Sequence, residues 1–226
     1  MSEYKEVLHL DRAYVLLEER SILRDIHVVM NRGEFCYLKG DTGSGKSTLI
    51  KGLYGLLKMD GARIYSAGFD LSELNHRTLP EYRRSIGLIS DLYPLFKDQS
   101  VQKNLDTILQ VTGMAISSER EKRISEVLSA LEITAIQGEV ISDLPSGLKQ
   151  KVAIARAVLN RPKLLIADNP MIHLDTKSIE AVMNLFISLV KENQTSILCA
   201  ISDDHLSTKY PARSYMCADG TITESR

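Results

Sequence analysis

One short stretch constrains the fold of this chain more than any other. It reads Gly40-Asp41-Thr42-Gly43-Ser44-Gly45-Lys46-Ser47-Thr48 and fits the spacing G-x-x-x-x-G-K-[ST]. An apolar β-type run at 34–39 precedes it, and a helical pattern at 47–57 follows it. The glycines let successive backbone N–H groups curl around an anion, and the helix directs its positive dipole end at the same point. The stretch therefore predicts a strand, a phosphate-binding loop and a helix.

The same loop predicts a nucleotide site. A lysine at this spacing reaches the β- and γ-phosphates, so we expect that role for Lys46, and the Ser47 hydroxyl is expected to ligate Mg²⁺. A second apolar strand, 164–168, ends in Asp168, whose carboxylate is expected to face the same Mg²⁺. Upstream of it, the loop Leu144-Pro145-Ser146-Gly147 leads into a helix whose first amides could bind a second phosphate.

The arrangement of apolar residues predicts an α/β fold. Strand patterns alternate with helical patterns in the first and last thirds of the chain, which indicates a parallel sheet covered on both faces. Strand patterns are missing between about 92 and 158, so we expect a helical lobe there. The predicted organisation is one domain over 1–226, with a core formed by 1–91 and 159–226.

Composition excludes several classes of protein. The formal net charge is −1, which argues against nucleic acid as a partner held by bulk electrostatics. The three cysteines lie in apolar runs without C-x-x-C spacing, which predicts buried, reduced thiols in a cytosolic protein. The first residues contain no apolar segment and no apolar run approaches the roughly 18 residues of a membrane span, so we expect neither a signal peptide nor a span.

The order of these motifs resembles an ABC-type ATPase domain. Phosphate loop, helical lobe, signature loop, second carboxylate strand and a Leu174-Asp175 turn follow one another as in that family, over essentially all of 7–223. Within it the chain is similar to the FtsE cell-division ATP-binding proteins, which are related to lipoprotein and macrolide exporter subunits; the stretches LNHRTLPEYRRSIG and RSYMCADGTI carry this likeness. The resemblance implies a P-loop NTPase of the ABC type, with a parallel-rich core sheet, an antiparallel N-terminal β subdomain and a helical lobe.

The resemblance also implies roles for single residues. Tyr14 matches the aromatic that stacks on adenine, and Asp91 falls at the end of the central strand, near Mg²⁺. Leu174 and Asp175 match the turn that links two subunits. The implied ligands are ATP and Mg²⁺. The implied assembly is a homodimer on ATP binding, in which each phosphate loop faces the signature loop of the other copy.

Four positions depart from the family, and all four belong to the hydrolysis apparatus. Asn169 replaces the glutamate general base, and an amide cannot take a proton from water. Ser202 replaces the histidine that contacts the γ-phosphate; His205, three residues on, is expected to face elsewhere. Asp91 replaces a glutamine, and Pro145 replaces the signature serine with a residue that has neither a hydroxyl nor an N–H. Together these departures predict nucleotide binding with weak hydrolysis, unless nearby carboxylates compensate.

The preferred hypothesis is the ATP-binding subunit of an FtsE–FtsX-like complex that acts in cell division or cell-wall control. The expected partner is an FtsX-like integral membrane protein, which would place the chain on the cytoplasmic face of the cell membrane. The apolar loop 92–96 either receives that partner or packs between the lobes. Alternatives are the ATPase subunit of a lipoprotein or small-molecule exporter and a non-hydrolysing, nucleotide-dependent scaffold. A small P-loop kinase is disfavoured because no acceptor-substrate lid is visible.

Overall fold

A single mixed sheet organises the molecule. The computed structural model describes residues 5–18, 20–92 and 94–225. In these residues, eleven strands join into one sheet: β1 (Glu6–Leu17), β2 (Arg20–Asn31), β3 (Phe35–Lys39), β4 (Lys58–Asp60), β5 (Arg63–Ser66), β6 (Phe69–Asp70), β7 (Ile86–Ile89), β8 (Leu164–Asp168), β9 (Ser196–Ala200), β10 (Arg213–Ala218) and β11 (Thr221–Ser225).

Seven α-helices accompany the sheet in the described part of the chain. They are α1 (Lys46–Leu53), α2 (Leu79–Ser85), α3 (Val101–Val111), α4 (Ser117–Ala130), α5 (Ser146–Val158), α6 (Thr176–Asn193) and α7 (His205–Lys209). None of the described helices is long and apolar enough to cross a membrane.

The sheet has a parallel half and an antiparallel half. The strand order is β6-β5-β1-β2-β11-β10-β3-β9-β8-β7, with β4 also paired to β1. The pairs from β10 through β3, β9 and β8 to β7 are parallel, whereas β1 pairs antiparallel with β2, β4 and β5. The expectation of a parallel-rich core with an antiparallel N-terminal β subdomain is confirmed.

Burial explains why the central strands carry continuous apolar runs. On β8, Leu164 and Ile166 pack into one buried cluster, while Leu165 and Ala167 pack into a second cluster with side chains of α3, α4, α5 and α6. Successive side chains of a strand point to opposite faces, so both faces of this strand are covered.

The helices between β7 and β8 pack on one another. Contacts join α3 with α4, α3 with α5 and α4 with α5, and their buried side chains include Leu105, Ile124, Leu128 and Val152. In the described residues of this region the only β pairing is one isolated bridge, between Ser100 and Val140. The chain is helical where the sequence lacked strand patterns, and the domain limits at 92 and 158 stay predictions.

The helix after the phosphate loop is shorter than predicted. It ends at Leu53 instead of residue 57 because Gly55 adopts φ 69°. The Leu56 N–H bonds the Lys51 carbonyl and the Gly55 N–H bonds the Gly52 carbonyl, which is the Schellman pattern of helix termination. The chain can then turn at once into β4, a three-residue strand that pairs with β1.

Strand order decides which loops meet. The strands β3, β9 and β8 are neighbours and parallel, so their carboxyl ends lie along one edge of the sheet. The phosphate loop follows β3, Ser202 follows β9, and Asp168 ends β8. Ligands of open α/β sheets bind at this edge, and the candidate residues converge there.

Candidate functional site

The phosphate loop has a backbone that its glycines make possible. Gly40, Gly43 and Gly45 have φ values of 145°, 85° and 115°. A Cβ at Gly40 would lie 2.3 Å from the Cys217 carbonyl oxygen, and one at Gly45 would lie 2.5 Å from Leu23 Cδ2. At these two glycines the backbone lies too close to its neighbours for any side chain to fit. The tip of the loop is exposed to solvent at Asp41, Thr42 and Gly43.

The side chain of Lys46 bonds two backbone carbonyl groups of the phosphate loop. Its side chain is buried, and Nζ donates to the carbonyl oxygens of Gly40 at 2.5 Å and Asp41 at 2.8 Å. The hydroxyl oxygen of Ser44 is buried without a hydrogen-bond partner in the described structure. The first turn of α1 carries no acidic residue. A buried ammonium, an unpaired hydroxyl and a helix N-terminus at one point fit a phosphate group.

One cavity lies on the β10 side of the loop, with a volume of about 540 Å³. It is bounded by Gly40–Ser44, by the turn after β9 and by the β10–β11 turn. Lys39 Nζ contacts Asp204 Oδ1 at 2.9 Å there, and this hydrogen bond and the lysine's charge hold the pKa of the Asp204 carboxyl below its usual range. The charge of Lys39 is thus engaged by a carboxylate.

A second cleft, of about 870 Å³, brings the predicted metal residues together. Ser47, Asp91, Asp168 and Asn169 all line it, and so does Ser146 of α5. No group of three or more His, Cys, Asp or Glu side chains is placed to hold a metal in the described residues. The Ser47 hydroxyl and the Asp168 carboxylate are oxygen ligands of the kind Mg²⁺ takes, with phosphate and water completing the shell. The donor set fits a nucleotide-bound Mg²⁺.

Two of the departing positions touch. Asn169 follows β8 with φ 45°, and its N–H bonds the Ala200 carbonyl of β9. Its Nδ2 donates to Asp168 Oδ1 at 3.3 Å, and its Oδ1 accepts from the Ser202 hydroxyl at 3.4 Å. The amide of Asn169 therefore bridges a hydroxyl and the predicted metal carboxylate, and neither the amide nor the hydroxyl is a base.

His205 shares a cavity with both of these residues. It is the first residue of α7 and lines a third cavity, of about 570 Å³, together with Thr42, Asn169 and Ser202. That its ring faces away from the γ-phosphate stays a prediction. The bend at Asp203–Asp204 is followed at once by α7, a helix too short to show a period in the sequence.

The signature loop is shaped by its proline. Pro145 is the N-cap of α5 and makes no side-chain capping bond, while Ser146 is the first residue of the helix and is exposed. Leu144 is buried, and a Cβ at Gly147 would lie 2.7 Å from the His173 carbonyl oxygen. The hydroxyl available at this helix start is thus that of Ser146.

The predicted dimer turn also caps a helix. Asp175 is the N-cap of α6, and its carboxylate accepts from the Ser178 N–H at 2.7 Å. These bonds to Ser178 lower the pKa of the Asp175 carboxyl. Leu174 is half-buried against the apolar cluster that contains α6. Their role between two copies stays a prediction.

Tyr14 stands apart from the other candidates. It lies on β1 opposite Asp60 of β4, with 36% of its surface exposed. Among the described residues, those lining the three cavities around the loop do not include it. Thr48, by contrast, sits in the first turn of α1 and is half-buried. The adenine contact of Tyr14 stays a prediction.

Comparison with known proteins identifies the family of this chain and several relatives. The sequence pattern that describes the ABC transporter family matches residues 23–172. The cell division ATP-binding protein FtsE of Escherichia coli K12 is 32% identical over 214 residues, which are 95% of each chain. FtsE of Streptococcus pneumoniae D39 is 34% identical over 81% of this chain and 79% of its own length. The methionine import ATP-binding protein MetN of Geobacillus kaustophilus is 30% identical over 88% of this chain and 58% of its own.

Solved structures agree with the fold. A dimeric bacterial ABC transporter cassette superposes with a TM-score of 0.87 at 26% identity, covering 97% of this chain and 98% of that one. A dimeric ATP-binding cassette in a post-hydrolysis state, bound to ADP and Pi, gives a TM-score of 0.86 at the same identity and coverage.

Proposed function

Because the chain belongs to the ABC transporter family of ATP-binding domains, we propose that it is the ATP-binding subunit of a membrane complex of the FtsE kind, acting in cell division or cell-wall control. The observation that carries this proposal is the 32% identity to FtsE, which runs through 95% of both chains. A likeness of that extent includes the phosphate loop, the signature loop and the segments between them.

The nucleotide of this complex is ATP with Mg²⁺. Lys46 and the loop amides bind the phosphates, and Ser47 and Asp168 would hold the metal ion, which would neutralise phosphate charge when bound. Asp91 lines the same cleft and would be the third oxygen-bearing side chain to face that ion. The buried ammonium of Lys46 and the unpaired Ser44 hydroxyl support phosphate binding at this place.

Hydrolysis in this subunit is weak. The position of the general base holds Asn169, whose amide is occupied by Asp168 and Ser202. Losing a general base removes roughly 10²–10⁴ in rate, and losing donors to the γ-phosphate removes more. The residues therefore favour a cycle governed by binding and release of nucleotide over one governed by rapid chemistry.

Two copies close around ATP, each phosphate loop facing the other copy's Ser146. The superposed cassette is dimeric in both of its solved structures, which supports this arrangement. The closure acts on an FtsX-like integral membrane protein, which holds the subunit at the cytoplasmic face of the cell membrane. A surface for that partner is available at Leu92 and Phe96, which are 38% and 50% exposed; Tyr93 of the same loop lies outside the described residues.

One other candidate function has an observation in its favour. The likeness to the import protein MetN supports a transport ATPase as the alternative. Transport needs repeated turnover, so Asn169 and Ser202 weigh against it. A non-hydrolysing scaffold differs from our proposal only in having no turnover at all.

The proposal is tested by co-purification. The chain is expressed with an FtsX-like integral membrane protein of the same organism, solubilised in detergent, and captured by a tag on the membrane protein. We expect the chain to be captured, with more captured in the presence of Mg-ATP than without nucleotide. Capture of no chain under either condition, with both proteins folded, contradicts the proposed partner class.

A further inference from the structure

The exposed apolar loop is fastened to the helical lobe by a buried asparagine. Asn104 of α3 is completely buried. Its Oδ1 accepts from the Phe96 N–H at 2.8 Å, and its Nδ2 lies 3.1 Å from the Phe96 carbonyl oxygen. The same nitrogen lies 3.4 Å from the Gln99 carbonyl and 3.0 Å from the Ser100 carbonyl. One side chain thus satisfies both backbone groups of Phe96 and holds the whole turn of loop 94–99.

Two consecutive side chains of this loop have different surroundings as a result. Leu95 packs against the apolar cluster of α3, α4 and α5, whereas Phe96, the next residue, is half exposed. Arg156 of α5 donates to the Pro94 carbonyl at 3.0 Å and fastens the other end of the loop. The loop is therefore a rigid platform that presents an aromatic ring, because its backbone groups are fixed from two helices.

A short ladder connects this platform with the segment before the signature loop. The Ser142 N–H bonds the Lys97 carbonyl at 3.0 Å, and the Ile141 N–H bonds the Gln99 carbonyl at 3.1 Å. The turn that starts at Ile141 then runs directly into Leu144, whose N–H bonds the Ile141 carbonyl.

The first helical turn of α5 is tied to the same segment. Lys149 Nζ donates to the Ser142 carbonyl at 3.0 Å. A displacement of loop 94–99 must therefore either break this ladder or carry the start of α5 with it. Packed elements of this kind shift as units because they do not deform continuously.

We infer that Asn104 is a positioning residue that makes loop 94–99 and the turn 141–143 one mechanical unit, through which contact at Phe96 controls the placement of the signature loop. The inference rests on the proposed function for what contacts Phe96 and for what the signature loop binds. The linkage itself is a property of the isolated chain and can be measured without any partner.

The first test uses amide hydrogen exchange of the nucleotide-free protein. Removing Asn104 leaves the partly buried backbone groups of Phe96 without their partner, so Asn104→Leu should speed exchange at Phe96 and also at Ile141 and Ser142, by roughly tenfold or more. Asn104→Asp keeps the acceptor and loses the donors, and should act in the same direction. Lys103→Ala, an exposed neighbour on α3, should change none of these rates. Faster exchange at Phe96 alone overturns the inference.

The second test measures dimerisation by sedimentation with Mg-ATP. The Asn104 variants should bind ATP within about twofold of the wild-type affinity, because the phosphate loop is untouched, while the dimer dissociates several-fold more readily. If the variants dimerise as the wild type does although exchange at Ile141 is faster, contact at Phe96 does not control the placement of the signature loop. If the wild type does not dimerise with ATP, the proposed function fails, and the exchange measurement alone decides the inference.

A third measurement guards against variants that do not fold. In the wild-type protein, residues that open as one unit share one opening free energy and one denaturant dependence of exchange. The amides of Phe96, Ile141 and Ser142 should share both. Different denaturant slopes for Phe96 and the other two contradict the inference.

Discussion

The Ser202 hydroxyl donates to Oδ1 of Asn169 at 3.4 Å, across the carboxyl ends of the neighbouring strands β9 and β8. The sequence shows these as two separate replacements. The structure shows one connected group, since the other end of the Asn169 amide donates to Asp168. Changing either residue alters the hydrogen bonds of the other.

Restoring the glutamate alone should recover little activity. Asn169→Glu removes the amide donor that lies 3.3 Å from the Asp168 carboxylate and places a like charge there, which disfavours the ionised base. We expect steady-state ATP turnover at saturating Mg²⁺ to rise by less than about tenfold, well short of the roughly 10²–10⁴ of a working general base.

The double variant Asn169→Glu with Ser202→His should recover more. Its excess over additivity should correspond to roughly 0.5–3 kcal/mol, as for residues that share one network. Asn169→Gln keeps the amide and serves as the control. If the single glutamate variant reaches full turnover, Ser202 does not limit the rate of hydrolysis and this expectation is contradicted.

Removal of the loop lysine should abolish ATP binding. Lys46→Ala deletes the buried ammonium and both of its bonds to the Gly40 and Asp41 carbonyls, so the loop loses its charge and its closure. Calorimetric titration with Mg-ATP should show no heat of binding. Lys58→Ala, an exposed lysine of β4, should bind as the wild type does. Unchanged affinity in Lys46→Ala places the nucleotide elsewhere.

Two glycines of the loop should respond differently to the same change. A methyl group at Gly40 meets the Cys217 carbonyl oxygen at 2.3 Å, whereas one at Gly43 meets nothing within 4 Å. Gly40→Ala should cost roughly 2–4 kcal/mol of unfolding free energy and also ATP affinity, because β10 or the loop must move. Gly43→Ala should cost about 1–2 kcal/mol, from its left-handed φ alone. Denaturant unfolding measures both, and equal costs contradict the packing argument.

The three thiols should be inert in the folded protein. Cys36, Cys199 and Cys217 are completely buried. Burial raises the pKa of Cys36 to about 12 and raises the pKa of the other two thiols as well. A raised pKa lowers the thiolate fraction at neutral pH, so Ellman's reagent should react with none of them until denaturant is added, and then with all three. A native thiol that reacts as fast as in denaturant contradicts this burial.

The regular elements were predictable where periodicity and caps agree. The apolar strand expected at 164–168 matches β8 in the structure, and Asp175 supplies the N-cap of α6. The strands β4 and β6 and the helix α7 have three, two and five residues, too few for a period to show. Their formation depends on pairing with β1 and β5 and on the turn after β9.

The site was predictable as motifs but not as contacts. Each loop residue could be assigned to the end of a strand, because the strand patterns are clear. The contact between Asn169 and Ser202 depends on β8 and β9 being neighbours, which no local pattern encodes. The place of His205 depends on the same strand order and on a turn of two residues. Tyr14 was assigned by resemblance alone, and the geometry around the loop adds nothing to that assignment.

The central claim is that this chain binds ATP at an intact loop and hydrolyses it poorly. It is tested most directly by the decay of bound, labelled Mg-ATP with protein in excess, in the presence of the membrane partner. We expect ATP to be bound and to be converted to ADP well below about 1 s⁻¹, the low end of ordinary enzyme turnover. Conversion at tens per second would contradict it, because Asn169 and Ser202 would then stand in a fully working hydrolytic site.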